Sequence, residues 1–289
     1  MKLEAEVCKA FSTSASQYDD VAVIQREIGD RLFERLTYLA MRPTVVLDLG
    51  CGTGVWTQQL QQRYPDALVM GLDYACPMLG MAKERTREAR FALLHANMMH
   101  CPIARNSVDL IFANQVVHWS LDMAVLFKEV MRILKPGGCF FFSTLGPDTF
   151  FELKETWSRV DKFEHVFSFP DMHDVGDQLM AHGFLDPVVD REDLVAHYAS
   201  FMALVRGLKA QGVRNMHGNR RTGLTGKKAW QEAEQVYNST WLTATHKAPL
   251  RYEIIYGHAW KGQPRSEQRD NEVWISVDQL KRRSDESIS

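Results

Sequence analysis

The chain has 289 residues, 45% of them hydrophobic and 24% charged, and its 34 basic and 36 acidic side chains leave a formal net charge of -2. This ordinary globular composition has room for one large domain or two small ones. It excludes a protein that grips polyanions over its whole surface, so a charge-driven partner must meet a local patch. The five cysteines, at 8, 51, 76, 101 and 139, are odd in number and form no CxxC pair, which speaks against a zinc cluster or a disulfide scaffold. Reduced thiols point to a cytoplasmic protein. The first residues lack the apolar stretch of a secretory signal, and no apolar run approaches the ~18 residues of a membrane span.

Apolar side chains at Val21, Ile24, Ile28, Leu32, Leu36 and Leu39 predict a helix over 16–40, ended by Pro43. Residues 44–49 (TVVLDL) read as a strand buried on both faces. A helix over 55–63, a strand over 67–72, a helix from Pro77 to about Glu88 and a short strand over 90–94 follow. Residues 107–113 form a fourth strand, 122–134 a helix, Lys135–Gly138 a turn and 139–145 a fifth strand. Strands alternating with helices predict βαβ units and a mostly parallel sheet. Beyond residue 146 the pattern changes. Helices are expected over 147–160, 172–182, 194–210 and 227–242, and strands over 184–190 and 250–260. A Gly, Asn and Arg-rich loop is expected over 212–226, and a polar tail, with one short alternating stretch at Val273–Val277, over 263–289.

The decisive segment is Val46–Gly54, VLDLGCGTG, in which a strand runs into a glycine turn and then a helix. Glycines there allow a sharp turn and the close approach of a ligand. Strand two ends at Asp73, nineteen residues beyond Gly54. A carboxylate at that place accepts hydrogen bonds from both hydroxyls of a ribose. A dinucleotide site would prefer GxGxxG, which seats a pyrophosphate on the helix. Here the spacing is GxGxG, and Asp48 precedes it, an acid that repels pyrophosphate and suits a cation. S-Adenosylmethionine carries a sulfonium and an ammonium and no phosphate.

Over residues 40–146 the segments VLDLGCGTG, GLDYACPML, ANMMHCPI and RILKPGG resemble the class I S-adenosylmethionine-dependent methyltransferases. The resemblance implies a Rossmann-like α/β fold, with a seven-stranded sheet, its last strand antiparallel, and helices on both faces. It implies that Gly50, Gly52 and Gly54 line the methionine and ribose part of the cofactor and that Asp73 binds the ribose. Tyr74 and Met78 would flank the adenine, with Asn97, where the family often has an acid, and Met98 beside it. Asn114 would face the methyl-transfer site.

A closer resemblance covers about residues 10–262, through FSTSASQYDDVAVIQ, NQVVHW, GPDTFFEL, LKAQGVRNMHGNR and PLRYEIIYG. These segments are similar to the malonyl-[acyl-carrier protein] O-methyltransferases of early biotin synthesis, which esterify the free carboxyl of a malonyl thioester on acyl carrier protein. Such a substrate needs no Ser/His/Asp or Cys/His machinery, because a carboxylate is already deprotonated at pH 7. It does need an anchor. Residues 194–231 hold seven basic side chains, Arg206, Lys209, Arg214, Arg220, Arg221, Lys227 and Lys228, and no acid. Part of this patch would hold the malonyl carboxylate and the rest would meet an acidic carrier protein. Lys209 and Arg220 match the family and are the first candidates for the anchor. Tyr18 would close over the cofactor, and His118 would stand beside Asn114 near the substrate.

The expected organisation is an N-terminal helical lid over 1–42, a cofactor-binding core over 43–146, substrate-binding helices with the last strands over 147–262, and the tail. No metal, nucleic acid or membrane is expected to take part. The chain also resembles the complex I assembly factor that hydroxylates an arginine on the same fold, so the fold leaves the reaction open. An RNA or small-molecule methyltransferase and a non-catalytic cofactor-binding protein are the remaining alternatives.

Overall fold

The apolar run Val45–Leu49 forms β1 and is buried on both sides, as a strand inside a parallel sheet must be. Val46 enters one core, and Leu47 and Leu49 enter another. The same alternation separates Leu110 and Phe112 from Ile111 and Ala113, and Cys139 and Phe141 from Phe140 and Phe142. Successive side chains of a strand leave opposite faces, so the two cores are the two sides of one sheet. A computed structural model describes residues 2–85, 91–120, 122–213, 225–244 and 246–263.

The further strands are β2 (Leu68–Asp73), β3 (Phe91–His95), β4 (Val108–Asn114), β5 (Leu134–Leu145), β6 (Phe184–Tyr198) and β7 (Ala248–Lys261). Their order is β3-β2-β1-β4-β5-β7-β6. The pairs from β3 to β5 are parallel, and β7 runs antiparallel to both β5 and β6. This is the expected Rossmann-like sheet with its last strand reversed. The chain moves outward from β1 to β2 and β3, then returns to the other side of β1 for β4. The carboxyl end of β1 is therefore the topological switch point, where such sheets bind ligands.

Helices cover both faces. One core takes Ile28 and Leu32 of α3 (Val23–Arg35), Trp56 and Leu60 of α4 (Val55–Arg63), and the helices α7 (Phe151–Ser158), α9 (Phe201–Ala210) and α10 (Lys227–Trp241) through Trp157, Phe201 and Tyr237. The other takes Phe127 and Val130 of α6 (Met123–Ile133) and Val175 and Leu179 of α8 (Met172–Ala181). At the N-terminus, α1 (Lys2–Ser14) packs on α5 (Cys76–Arg85), with Ala15 against Ala75 and Met78.

Four sequence expectations change. The single helix over 16–40 is a 3-10 turn (Ala15–Gln17), a short α2 (Tyr18–Val21) and α3, broken at Ala22, where φ is -84° and ψ is 42°. Asp19 in α2 bonds Thr53 of the glycine loop at 2.7 Å and also pairs with Arg85, and these tertiary bonds outweigh helical continuity. The helix expected over 194–210 starts only at Phe201. Residues 194–198 instead complete β6, paired with β7 from Leu194↔Tyr252 to Tyr198↔Ala248. Ser200 caps α9 by accepting the Ala203 N–H at 3.1 Å. The helix expected over 147–160 shortens to α7, because residues 146–150 are bonded to β7. Lys135–Gly138 lies inside β5 as an irregularity, with Gly137 at φ +80°.

Candidate active site

At the carboxyl end of β1 the chain turns through Gly50, Gly52 and Gly54, all with left-handed φ. The Gly50 and Cys51 N–H groups bond Leu72 O at 2.7 and 3.0 Å, which ties the turn to β2. Asp73, at the end of β2, accepts the Gly52 N–H at 2.9 Å and the Ala75 N–H at 2.7 Å, one on each carboxylate oxygen. Burial pushes its carboxyl above the usual range and those amides pull it back. A Cβ on Gly52 would meet nothing within 4 Å, so its surroundings are open for a ligand. Gly54 has a different task. A Cβ there would come within 2.8 Å of Ala82 Cβ, so this glycine allows α4 and α5 to pack closely and does not line the cavity.

Asp48 also stands behind the cavity rather than in its wall. It is buried and accepts the Thr57 hydroxyl at 2.6 Å, and desolvation pushes its carboxyl up to about 7. Asp48 and Gly54, both expected as ligand contacts, are not among the residues that line the cavity. Both shape the glycine loop from outside the cavity.

The cavity, about 240 Å³, opens between the glycine loop, the N-terminal helices and the segments after β5. Gly50, Gly52, Asp73, Tyr74, Met78, Asn97, Met98, Asn114, Tyr18 and His118 all line it. Asn97 folds back so that Oδ1 accepts the Met99 N–H at 2.9 Å. Asn114 donates to Gln25 O at 3.1 Å and accepts the Ser143 hydroxyl at 2.8 Å, so both ends of its amide serve the scaffold. Burial, with Asp73 and Asp19 nearby, pushes the Tyr18 hydroxyl far up and keeps it protonated. Desolvation pushes His118 down to about 3, so its ring is neutral at pH 7. Its Nδ1 lies 3.5 Å from Thr144 Oγ1, and its ring meets Phe169 edge-on at 5.6 Å. Over this floor, α1 places Phe11 edge-on to Trp119 at 5.2 Å, and Val7 and Cys8 complete the cover.

A family profile described as "Methyltransferase domain" matches residues 47–142. The malonyl-[acyl-carrier protein] O-methyltransferase of Legionella pneumophila is 46% identical over 285 residues, covering 98% of this chain and 100% of that protein. The chain belongs to the malonyl-[acyl-carrier protein] O-methyltransferase family. The Nitrosospira multiformis member is 40% identical, with 90% of each chain covered. Among solved structures, the YcgJ protein of Bacillus subtilis has the same fold at TM-score 0.57 and 17% identity, covering 81% of this chain and 98% of that one. Haemonchus contortus phosphoethanolamine N-methyltransferase 2, solved with S-adenosyl-L-methionine, matches at TM-score 0.51 and 17% identity, covering 81% of this chain and 53% of that one.

In this methyltransferase only one of the two basic candidates, Lys209, falls among the described residues. Lys209 is exposed on α9 and does not line the cavity, while its neighbours Leu208 and Gln211 do. Arg220 lies outside the described residues. Among the described residues lining the cavity there is no lysine or arginine. Sequence reasoning missed Gln25, Gln211, His165 and Phe169, which the fold brings to the same cavity. His165 bonds Asp161 through Nε2 at 2.8 Å and stacks on Trp157 with ring centroids 3.9 Å apart. The spacing of Asp161 and His165 was a visible signal. The approach of Gln211 to Gln25, from 186 residues away, was not.

Proposed function

We propose that this chain transfers the methyl group of S-adenosylmethionine to the free carboxylate of a malonyl thioester on acyl carrier protein, giving the methyl ester that starts pimeloyl synthesis for biotin. The observation that carries this reading is the 46% identity that extends over 98% of the chain, far beyond the residues 47–142 matched by the general methyltransferase profile. The residues fit the cofactor. Gly52 leaves an open cradle, and Asp73 keeps acceptor capacity on both oxygens after binding two amides. Tyr74, Met78, Asn97 and Met98 form the adenine side, and Gly50 and Asn114 the methionine side.

When bound, the sulfonium supplies an electrophilic methyl group. The protein need not remove a proton from the acceptor, because a carboxylate is ionised at pH 7. Its own work is placement and exclusion of water. Phe11, Trp119, Phe150, Phe167 and Phe169 wall the cavity, and an apolar enclosure favours a reaction that merges opposite charges. Neutral groups, the Tyr18 hydroxyl and the His118 ring, face the same space and hold a substrate oxygen without quenching it. The N-terminal helices act as the lid, and the helices of 147–262 form the substrate side. Arg220 remains the proposed anchor of the malonyl carboxylate, and exposed Lys209 meets the carrier protein in a cytoplasmic setting, with no nucleic acid or membrane involved. Among the described residues no helix is long and apolar enough to cross a membrane.

The test is incubation of the purified chain with malonyl-carrier protein and methyl-labelled S-adenosylmethionine. A base-labile methyl ester on the carrier protein is expected. Absence of the ester, together with oxygen added to a protein arginine or methyl added to RNA, would overturn the reading.

A further inference from the structure

A chain of hydrogen bonds that starts at a main-chain carbonyl dictates which way the Gln25 side chain faces. Val21 O only accepts, so Gln211 meets it with Nε2, at 3.0 Å. That choice turns Gln211 Oε1 toward Gln25, which must then present its own Nε2, also at 3.0 Å. Gln25 Oε1 is left pointing away, buried and without a partner. A buried acceptor without a donor is destabilising, and Gln25 lies in the cavity wall, where a ligand can supply one.

The place of Gln25 narrows the ligand group. Its main-chain O accepts Asn114 Nδ2 at 3.1 Å, at the end of β4. The sheet order puts β4 and β2 on opposite sides of β1 and its glycine loop. Gln25 is therefore across the loop from Asp73. It also borders a small adjoining pocket with Tyr18, Gly50, Gly52 and Asn114. Given the reading above, on which this inference rests, the ribose lies at Asp73 and the amino-acid end of the cofactor reaches Gln25. That end carries a carboxylate, which only accepts, and an ammonium, which only donates. An orphaned acceptor selects the ammonium.

We propose that Gln25 Oε1 accepts a hydrogen bond from the α-ammonium of S-adenosylmethionine, and that Gln211 is a positioning residue that holds the Gln25 amide in the accepting orientation. Gln211 directly follows α9 and lies inside the basic stretch of 194–231. The grip on the cofactor is thus shared between the N-terminal helices and the substrate side of the molecule.

Calorimetry on the full chain with three probes tests this. S-Adenosylhomocysteine carries ammonium and carboxylate, its deaminated analogue carries the carboxylate alone, and 5′-methylthioadenosine carries neither. The wild type should prefer the first over the second by about ten- to a hundred-fold, the range for a hydrogen bond to a charged group. Gln25→Leu should lose most of that preference while binding methylthioadenosine within about twofold of wild type, which also certifies the fold. Gln211→Leu should lose part of it with the same control intact. A Gln25→Leu protein that keeps the full preference, or that weakens on all three probes in proportion, would overturn the proposal. A wild type that binds all three probes equally overturns it alone, whereas a wild type that binds none also overturns the cofactor reading.

Discussion

Thr149 and Glu253, 104 residues apart in the chain, hold each other by two hydrogen bonds: the Thr149 hydroxyl donates to Glu253 O at 3.0 Å and accepts the Glu253 N–H at 3.1 Å. The Glu253 carboxylate also accepts the Asp148 N–H at 2.7 Å and Arg191 at 3.1 Å. A second acid, Glu152, accepts the Arg251 N–H at 2.9 Å. The GPDTFFEL and PLRYEIIYG segments are therefore two halves of one latch. It fixes the chain after β5 against β7 and sets Phe150 and Tyr252, ring centroids 5.0 Å apart, in the cavity wall.

Thr149 is fully buried. Thr149→Val keeps its volume and removes both bonds, leaving the Glu253 N–H unsatisfied. The expected cost is about 1–3 kcal/mol, read as a lower urea midpoint with an unchanged slope. A midpoint equal to wild type would show that the latch adds nothing to stability.

Asp73→Ala should weaken binding of S-adenosylhomocysteine by about tenfold or more, because the ribose loses a charged acceptor. The same change releases the Gly52 and Ala75 amides from their acceptor. A loss of about 1–2 kcal/mol of stability should therefore accompany it. Calorimetry and denaturant unfolding read the two effects separately, and undiminished affinity would remove Asp73 from the ribose site.

His118 gives the protein a measurable acid sensitivity. Its folded pKa is pushed down to about 3 from an ordinary 6.5. Between those values the unfolded chain binds a proton that the folded chain refuses, so stability rises with pH there and falls as the solution is acidified. The effect begins below about pH 6.5 and should reach about 1–2 kcal/mol by pH 5. His118→Asn should remove it, so that the difference in Tm between variant and wild type shifts in the variant's favour as pH falls from 7 to 5. A constant difference across that range would contradict the buried, neutral ring.

Lys209 is exposed and outside the cavity wall. Lys209→Glu should raise KM for malonyl-carrier protein several-fold, with the difference shrinking as salt is added. Affinity for S-adenosylhomocysteine should stay at the wild-type level. If kcat falls instead with KM unchanged, Lys209 acts on the chemistry rather than on docking.

Legibility of the sequence tracked the range of the interactions. The glycine turn and the carboxylate at the end of β2 follow from neighbours within a few residues, so VLDLGCGTG and GLDY announce them. Strands β1 and β4 and the Cys139–Leu145 part of β5 are mostly apolar and mostly buried on both faces, which short runs of such residues announce. The segment 194–198 failed because Leu194, Ala196 and Tyr198 carry an alternation too short to stand against the helical spacing that follows. Only the ladder to β7, from Tyr252 to Ala248, settles it as strand. Gly54 reads like its two companions in the motif, yet its task is to pack against Ala82.

By itself, then, the sequence determined the sheet, its ligand-binding edge and the family, because each rests on local backbone geometry or on residue types at short spacing. Tertiary structure alone decided which members of the motif touch the cavity, why GPDTFFEL and PLRYEIIYG occur together, and which way Gln25 faces. The latch and the orientation of Gln25 depend on donors and acceptors brought together from 89 to 190 residues apart, a satisfaction of buried polar groups that no linear spacing encodes.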